Sequence, residues 1–203
     1  MVRRPALILA MVAAVIAAAP ARAQAPPRPL TDALEAIWRL DQYTVFDWVG
    51  GSYDRGTLTL QGFAARPELK QRAVRTAKAT AGVDEVVDAI ELLPTHQSDD
   101  SLRIRAYVAI YSHPALQIYS PGGGGFDSGV AIRELETVGR FGIDASSQFR
   151  GPHPIHIIVS GGRIQLFGTV HGSQDRQIAE VQVRNLSGVL GVINHIQVRR
   201  GGD

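Results

Sequence analysis

Hydrophobic and polar positions alternate with a period of two at two places in the chain. Leu58 and Leu60 alternate with Thr57 and Thr59, and Ile164 and Leu166 alternate with Arg163 and Gln165. That period predicts a strand with one buried face. Just upstream, Asp54-Arg55-Gly56 and Ser160-Gly161-Gly162 are turn sequences with glycine available for positive φ. Apolar stretches over 45–53 and 155–159 precede those turns, so each turn joins a hairpin. Gly62 and Gly168 are expected to end the second strand of each hairpin, where a side chain would weaken or crowd the exit.

The period then changes to that of a helix, over 66–81 and over 173–186. Leu69, Ala73, Ala77 and Ala81 share one face of the first, and Ala179, Val183 and Leu186 one face of the second. Gly82 and Gly188 fall where a helix needs a C′ residue with positive φ. Val86, Val87, Ile90 and Leu92, and then Val192, Ile193, Ile196 and Val198, predict a closing strand in each case. A further helix leads each set. One covers 31–40, carrying Leu34, Ile37, Trp38 and Leu40. The other covers 99–112, with Ser98 or Asp99 as N-cap and Pro114 as stop.

The two sets are copies of each other. Gly56-Thr-Leu-Thr-Leu-Gln-Gly62 aligns with Gly162-Arg-Ile-Gln-Leu-Phe-Gly168 at an offset of 106 residues, which persists without a gap to Ile90 and Ile196. Internal duplication is the strongest signal in the sequence. The fold class it predicts is α+β, as two tandem αββαβ domains over 31–94 and 98–200. The copies differ in the stretch from Leu116 to Pro154, an insert at about 117–152 with its flanks, which contains Gly122 to Gly125, a short helical pattern near 130–138, and Pro152-His153-Pro154.

Composition matters chiefly through the first residues. Arg3 and Arg4, an apolar run over 5–19 and the Ala21-Arg22-Ala23 pattern make residues 1–23 a secretory signal peptide. The run is shorter than the roughly 20 residues of a spanning helix. The 203-residue chain has a formal charge of +2 and a pI of about 9.2, which hints at nucleic acid. Removing Arg3, Arg4 and Arg22 with no acid turns +2 into −1, and the hint loses its support. A Pro-rich segment at 24–30 is read as mobile. There is no cysteine, which excludes a disulfide scaffold, a thiolate metal site and a cysteine nucleophile.

The unit resembles the BON family of bacterial envelope domains. The residues that carry the resemblance are Gly56-Thr-Leu-Thr-Leu-x-Gly62, Gly82-Val83-x-x-Val86-Val87-x-x-Ile90 and their counterparts Gly162 to Gly168 and Gly188-Val189-x-x-Val192-Ile193-Asn194-x-Ile196. The chain departs from the family at the insert and at Asp88, where an Asn is usual. The resemblance implies a periplasmic protein without a catalytic motif, which binds phospholipid or another envelope surface.

Candidate chemistry is sparse. Arg66, Lys70, Arg72, Arg75 and Lys78 crowd the first repeat's second helix, with Glu68 as its lone acid. They form a candidate lipid-binding face, although the helix itself carries no bulky apolar wedge beside the charges. An ordinary solvated face is the plainer reading. Ile178 and Val181 lie off the core face of the matching helix and are expected to pack against the first repeat, with contact to a partner as the alternative. His153, His156, His171 and His195 are read as surface or sheet-edge residues rather than metal ligands, because a catalytic site needs about three ligands with carboxylate support. The glycine run is not a phosphate loop, since no Lys-Ser/Thr follows it. Asp99-Asp100 is read as helix capping, and Trp38 and Trp48 as core anchors.

The expected function is non-catalytic binding of an envelope component, either anionic phospholipid or a protein partner, in envelope maintenance or osmotic stress. No cofactor, metal or nucleic acid is expected, and the sequence does not set the oligomeric state. The first alternative is a structural or oligomerising module acting through exposed sheet edges. A remote alternative is a metal-dependent enzyme using the insert histidines, which would require stoichiometric metal after purification. Exported protein should begin at or near Gln24 on N-terminal sequencing; a mature product starting at Met1 would remove the signal-peptide reading.

Overall fold

The computed structural model describes residues 27–120, 149–151 and 153–199. The signal segment, the glycine run, the helical pattern near 130–138 and Pro152 lie outside these residues. The first repeat runs α1 (Arg28–Trp38), β1 (Trp48–Asp54), β2 (Thr57–Ala64), α2 (Pro67–Lys78) and β3 (Glu85–Leu92). The second runs α3 (Gln97–Tyr111), a 3-10 turn (Pro114–Tyr119), β4 (Ile155–Ser160), β5 (Arg163–Val170), α4 (Ser173–Arg184), β6 (Gly191–Asn194) and β7 (Gln197–Val198).

Each repeat has a mixed sheet with the hairpin partner in the middle. β1 pairs antiparallel with β2, and β2 parallel with β3; β4, β5 and β6 repeat the pattern, and β7 continues along β5. The duplication extends to register: Leu58 faces Val86, and Ile164 faces Val192. Both hairpins close with two-residue loops in which both residues have positive φ, Arg55 (42°) and Gly56 (90°) in one, Gly161 (56°) and Gly162 (73°) in the other. That twist matches the twist of the strands it joins.

The leading helices start earlier than their patterns suggested. α1 begins at Arg28, so the last residues of the Pro-rich 24–30 segment are helical; Pro29 sits in the first turn, where a missing N–H costs nothing. α3 begins at Gln97, and Asp99 does not cap it. Its buried carboxylate instead accepts from the N–H of Gly161 (2.7 Å) and of Gly162 (2.9 Å), clamping the β4–β5 turn. Asp100 pairs with Arg103, whose other nitrogen donates to Val159 O (2.8 Å). The second helices end earlier, at Lys78 and Arg184, with Ala79 and Asn185 as C-caps. Gly82 and Gly188 do have positive φ, but three residues further on, where the chain turns toward the closing strand.

Two cores result. One gathers Ile37, Tyr43, Val49, Leu58, Leu60, Leu69 and Ile90 with small alanines from α1 and α2. The other gathers α3, β4, β5 and α4, and it includes Val45 and Phe46 from the first repeat. The boundary between repeats therefore does not follow the chain. The Val45 N–H donates to Phe149 O, the Ile157 N–H donates to Val45 O and the Gly151 N–H donates to Tyr43 O, each at 2.8 Å. Residues 43–45 thus pair antiparallel with 149–151 through a Thr44–Arg150 bridge, and Val45 O also takes the Ile157 N–H of β4. Burying Val45 and Phe46 there contributes about 1.5–3 kcal/mol each. The expected packing through Ile178 and Val181 is not what joins the repeats. Ile178 packs against its own core, and Val181 remains half exposed.

Gly62 and Gly168 lie inside β2 and β5 rather than at their ends. Their φ values are +127° and +126°, and a Cβ would stand 2.0 Å from Trp48 O and from Pro154 O respectively. Backbone is crowded against backbone at both sites, with no side chain to move aside. Gly62→Ala and Gly168→Ala should each cost about 3 kcal/mol, read as a fall of roughly 10 °C in thermal unfolding followed by circular dichroism. Gly161→Ala, with open space around the new methyl, should cost about 1 kcal/mol.

Candidate functional site

α2 lies over β2 and β3 with Leu69, Ala73 and Ala77 buried beneath it. Glu68 stands in its first turn and Arg75 and Lys78 in its last, the arrangement a helix dipole favours. The five cations expected to form a lipid-binding face divide into two groups. Arg66 precedes the helix and donates to Gln42 O at 2.5 Å, holding the segment that follows α1. Lys70 reaches over β3, its ammonium 2.5 Å from Ile90 O and 3.3 Å from the Asp88 carboxylate. Both side chains are engaged in the fold. Arg72, Arg75 and Lys78 face solvent, and no carboxylate among the described residues pairs with them.

The helix does not stand alone. A groove of about 470 Å³ runs between α2 and β3, lined by Pro67, Lys70, Gln71, Val74, Arg75, Asp88 and Leu92. Leu92, 47% exposed, and the half-buried Val74 give it an apolar floor. The helix sequence lacks such a surface because the strand supplies half of it. A Leu on the closing strand, in reach of a cation-rich helix, was the signal for it. Of the residues lining the groove Asp88 alone is acidic, and it is paired with Lys70 at its other wall. α4 offers no counterpart, since Arg176 donates to Asn194 O and Arg184 pairs with Glu180.

The second concave site lies on the seam between the repeats. Trp38, Trp48, His153, Pro154, His156, Gly168, Thr169 and Arg199 line a cleft of about 350 Å³. Trp38 is anchored, its indole N–H donating to Val49 O (2.9 Å). Trp48 stacks on Phe167 at 5.2 Å and 14°, and Phe167 stacks in turn on His195 at 4.6 Å. The tryptophans thus anchor the seam. His156 and His153 are buried rather than at the surface. His156 is packed against Tyr43 and Trp48, and its Nδ1 has no hydrogen-bond partner. The hairpin register places His156 opposite Phe167, and His171 lies instead against Tyr119. Among the described residues no group of three His, Asp or Glu could hold a metal ion.

Burial pushes His156 down to about 3, with the nearby His153 adding to the effect and the backbone of Asp47, Thr44 and Val45 opposing it. Asp47 is buried next to it and accepts from Thr44 N, Thr44 Oγ1 and Ala65 N. Burial nevertheless raises its pKa. The unfolded chain takes up a proton at His156 below its ordinary 6.5, while the folded one does not until about 3. The stability from this group is therefore complete above pH 6.5 and lost as pH falls toward 3; Asp47 acts in the opposite sense. His156→Phe, which keeps the ring packing, should flatten the fall of Tm between pH 6.5 and 4 by one proton's slope. An unchanged slope would remove His156 as its source.

Comparison with known proteins agrees with this geometry. The BON domain profile matches residues 51–94 and 143–200, one segment in each repeat. No curated protein matches the chain. Among solved structures, the C-terminal domain of CdsD, the structural protein of the type III secretion system of Chlamydia trachomatis, is 13% identical, with 87% of this chain and all of that chain covered and a TM-score of 0.27. A second structure of CdsD is 12% identical over 83% of this chain and 91% of its own, with a TM-score of 0.25. Scores this low carry no argument about role. The profile match, doubled and spanning about half of the sequence, is decisive: the chain belongs to the BON domain family.

Proposed function

We propose that this protein is a periplasmic docking module whose α2 face binds anionic phospholipid. Its family is typical of envelope and periplasmic proteins and generally non-enzymatic. Among the described residues no helix is long and apolar enough to cross a membrane. The observation that carries the reading is the joint presence of three solvent-facing cations, Arg72, Arg75 and Lys78, and the apolar floor of Val74 and Leu92 beside them. A headgroup phosphate pairs with the cations while the floor meets the acyl boundary. Each cation near an anionic surface contributes about 1 kcal/mol. Three such charges give weak, salt-sensitive and reversible attachment, which suits a peripheral module.

Charge reversal at Arg72, Arg75 and Lys78 together should weaken cosedimentation with phosphatidylglycerol vesicles at low salt by about 100-fold or more, from about 1 kcal/mol lost per cation and further repulsion from the new acids. Lys70→Gln should lower stability as well, because it also breaks the link to β3. Equal binding by the triple variant would eliminate this face. Binding by neither protein, with capture of an envelope protein instead, would favour the protein-partner reading.

A further inference from the structure

Each mixed sheet has two outer edges, and an open edge offers a row of N–H and C=O groups to any other strand. In this chain side chains take backbone groups at one or two residues on each of the four edges, with the same N–H taken on β3 and beside β6 and the carbonyl taken two residues earlier beside β6 than on β3. At β3, the Ile90 N–H donates to Asp88 Oδ1 (3.0 Å), and Ile90 O accepts from the Lys70 ammonium (2.5 Å). Beside β6, the Ile196 N–H donates to Asn194 Oδ1 (3.0 Å), and Asn194 O accepts from Arg176 (3.3 Å). At β1, Val49 O accepts from the Trp38 indole (2.9 Å), and the Val49 N–H donates to Tyr43 OH (3.2 Å). At β4, the Tyr111 hydroxyl donates to Ile155 O (2.7 Å) and accepts from the Ile155 N–H (3.3 Å).

Lys70 and Arg176, Asp88 and Asn194, Ile90 and Ile196, and Val49 and Ile155 are all related by the offset of the duplication. At Val49 and Ile155 the sealing side chains come from different places, yet the same backbone groups are taken. Further along the β4 edge, the Ile157 N–H donates to Val45 O and Val159 O accepts from Arg103. An N–H given to a side chain is not available to a neighbour, and a long cation lying across an edge also obstructs approach.

We propose that these side chains are edge seals, which deny strand addition to a second copy of the chain. This sets the protein apart from a module that assembles through its sheet edges. The Asp at position 88 fits the same role as Asn194, since either side chain can accept from the N–H two residues on; Asp adds the ion pair with Lys70.

The test uses the full chain. Light scattering after gel filtration, over a hundredfold concentration range, should show no growth in mass for the unaltered protein or for Arg55→Ala, which removes an exposed ion pair. Lys70→Ala with Asp88→Ala should shift a concentration-dependent fraction to larger species. Glu91→Cys on that background, in a chain with no other cysteine, should form disulfide-linked dimers several-fold faster than on the unaltered background. A folded double variant that keeps its mass and forms no such dimers overturns the proposal. If the double variant does not fold, amide exchange in the unaltered protein decides. Ile90 and Ile196 should exchange at least tenfold more slowly than unprotected amides, and exchange at the unprotected rate overturns the seals.

Discussion

The backbone of Val45 donates to Phe149 and accepts from Ile157, and the rest of the molecule is arranged around that insertion. It places five consecutive buried residues of the first repeat, 43–47, between two sheets. Tyr43 faces the first core, while Val45 and Phe46 enter the second. Asp47 holds the loop in shape by accepting from the N–H and hydroxyl of Thr44 and from the Ala65 N–H beyond β2. A duplicated gene product is often drawn as two beads on a string. Here the first bead supplies part of the second bead's core and one of its strand neighbours, so the repeats share their stability. The edge of β4, otherwise open to another molecule, is filled from within.

The duplication is legible in the sequence because it depends on local chemistry. Period-two alternation, paired glycines in the hairpin loops and a shared spacing need no distant partner to be read. Gly62 and Gly168 were recognisable as special, but their reason was not. The carbonyls that exclude a side chain belong to Trp48 and Pro154, on the adjacent strand. The seam was least legible. Val45 and Phe46 read as the start of the strand expected over 45–53, but β1 begins only at Trp48, and nothing local says that the residues before it pair with 149–151 and enter the second repeat's core. The same holds for His156, an imidazole that alternates with isoleucines and so looks like a sheet-edge residue until Tyr43 and Trp48 cover it. Asp99 resembles a cap by position, yet its carboxylate serves a turn about sixty residues away.

The cationic helix shows the limits of counting charges. Five basic residues along 66–78 suggested a uniform face. Two of them bind carbonyls of their own chain, because a long side chain can span from helix to sheet edge while its stem packs against apolar surface. The remaining three stand beside an apolar floor that only the folded sheet provides. Electrostatic character thus arises here at the level of tertiary structure, and the same lysine that closes an edge also lines the groove.

Trp38 and Trp48 are the only tryptophans in the chain, and both lie in the cleft between the repeats. Indole emission from this protein is therefore local by construction. It reports the polarity and closeness of the joint, and the cationic face of α2 carries no indole of its own. A colour shift on heating, acidification or encounter with a partner would speak of the seam between the halves, with no label to attach.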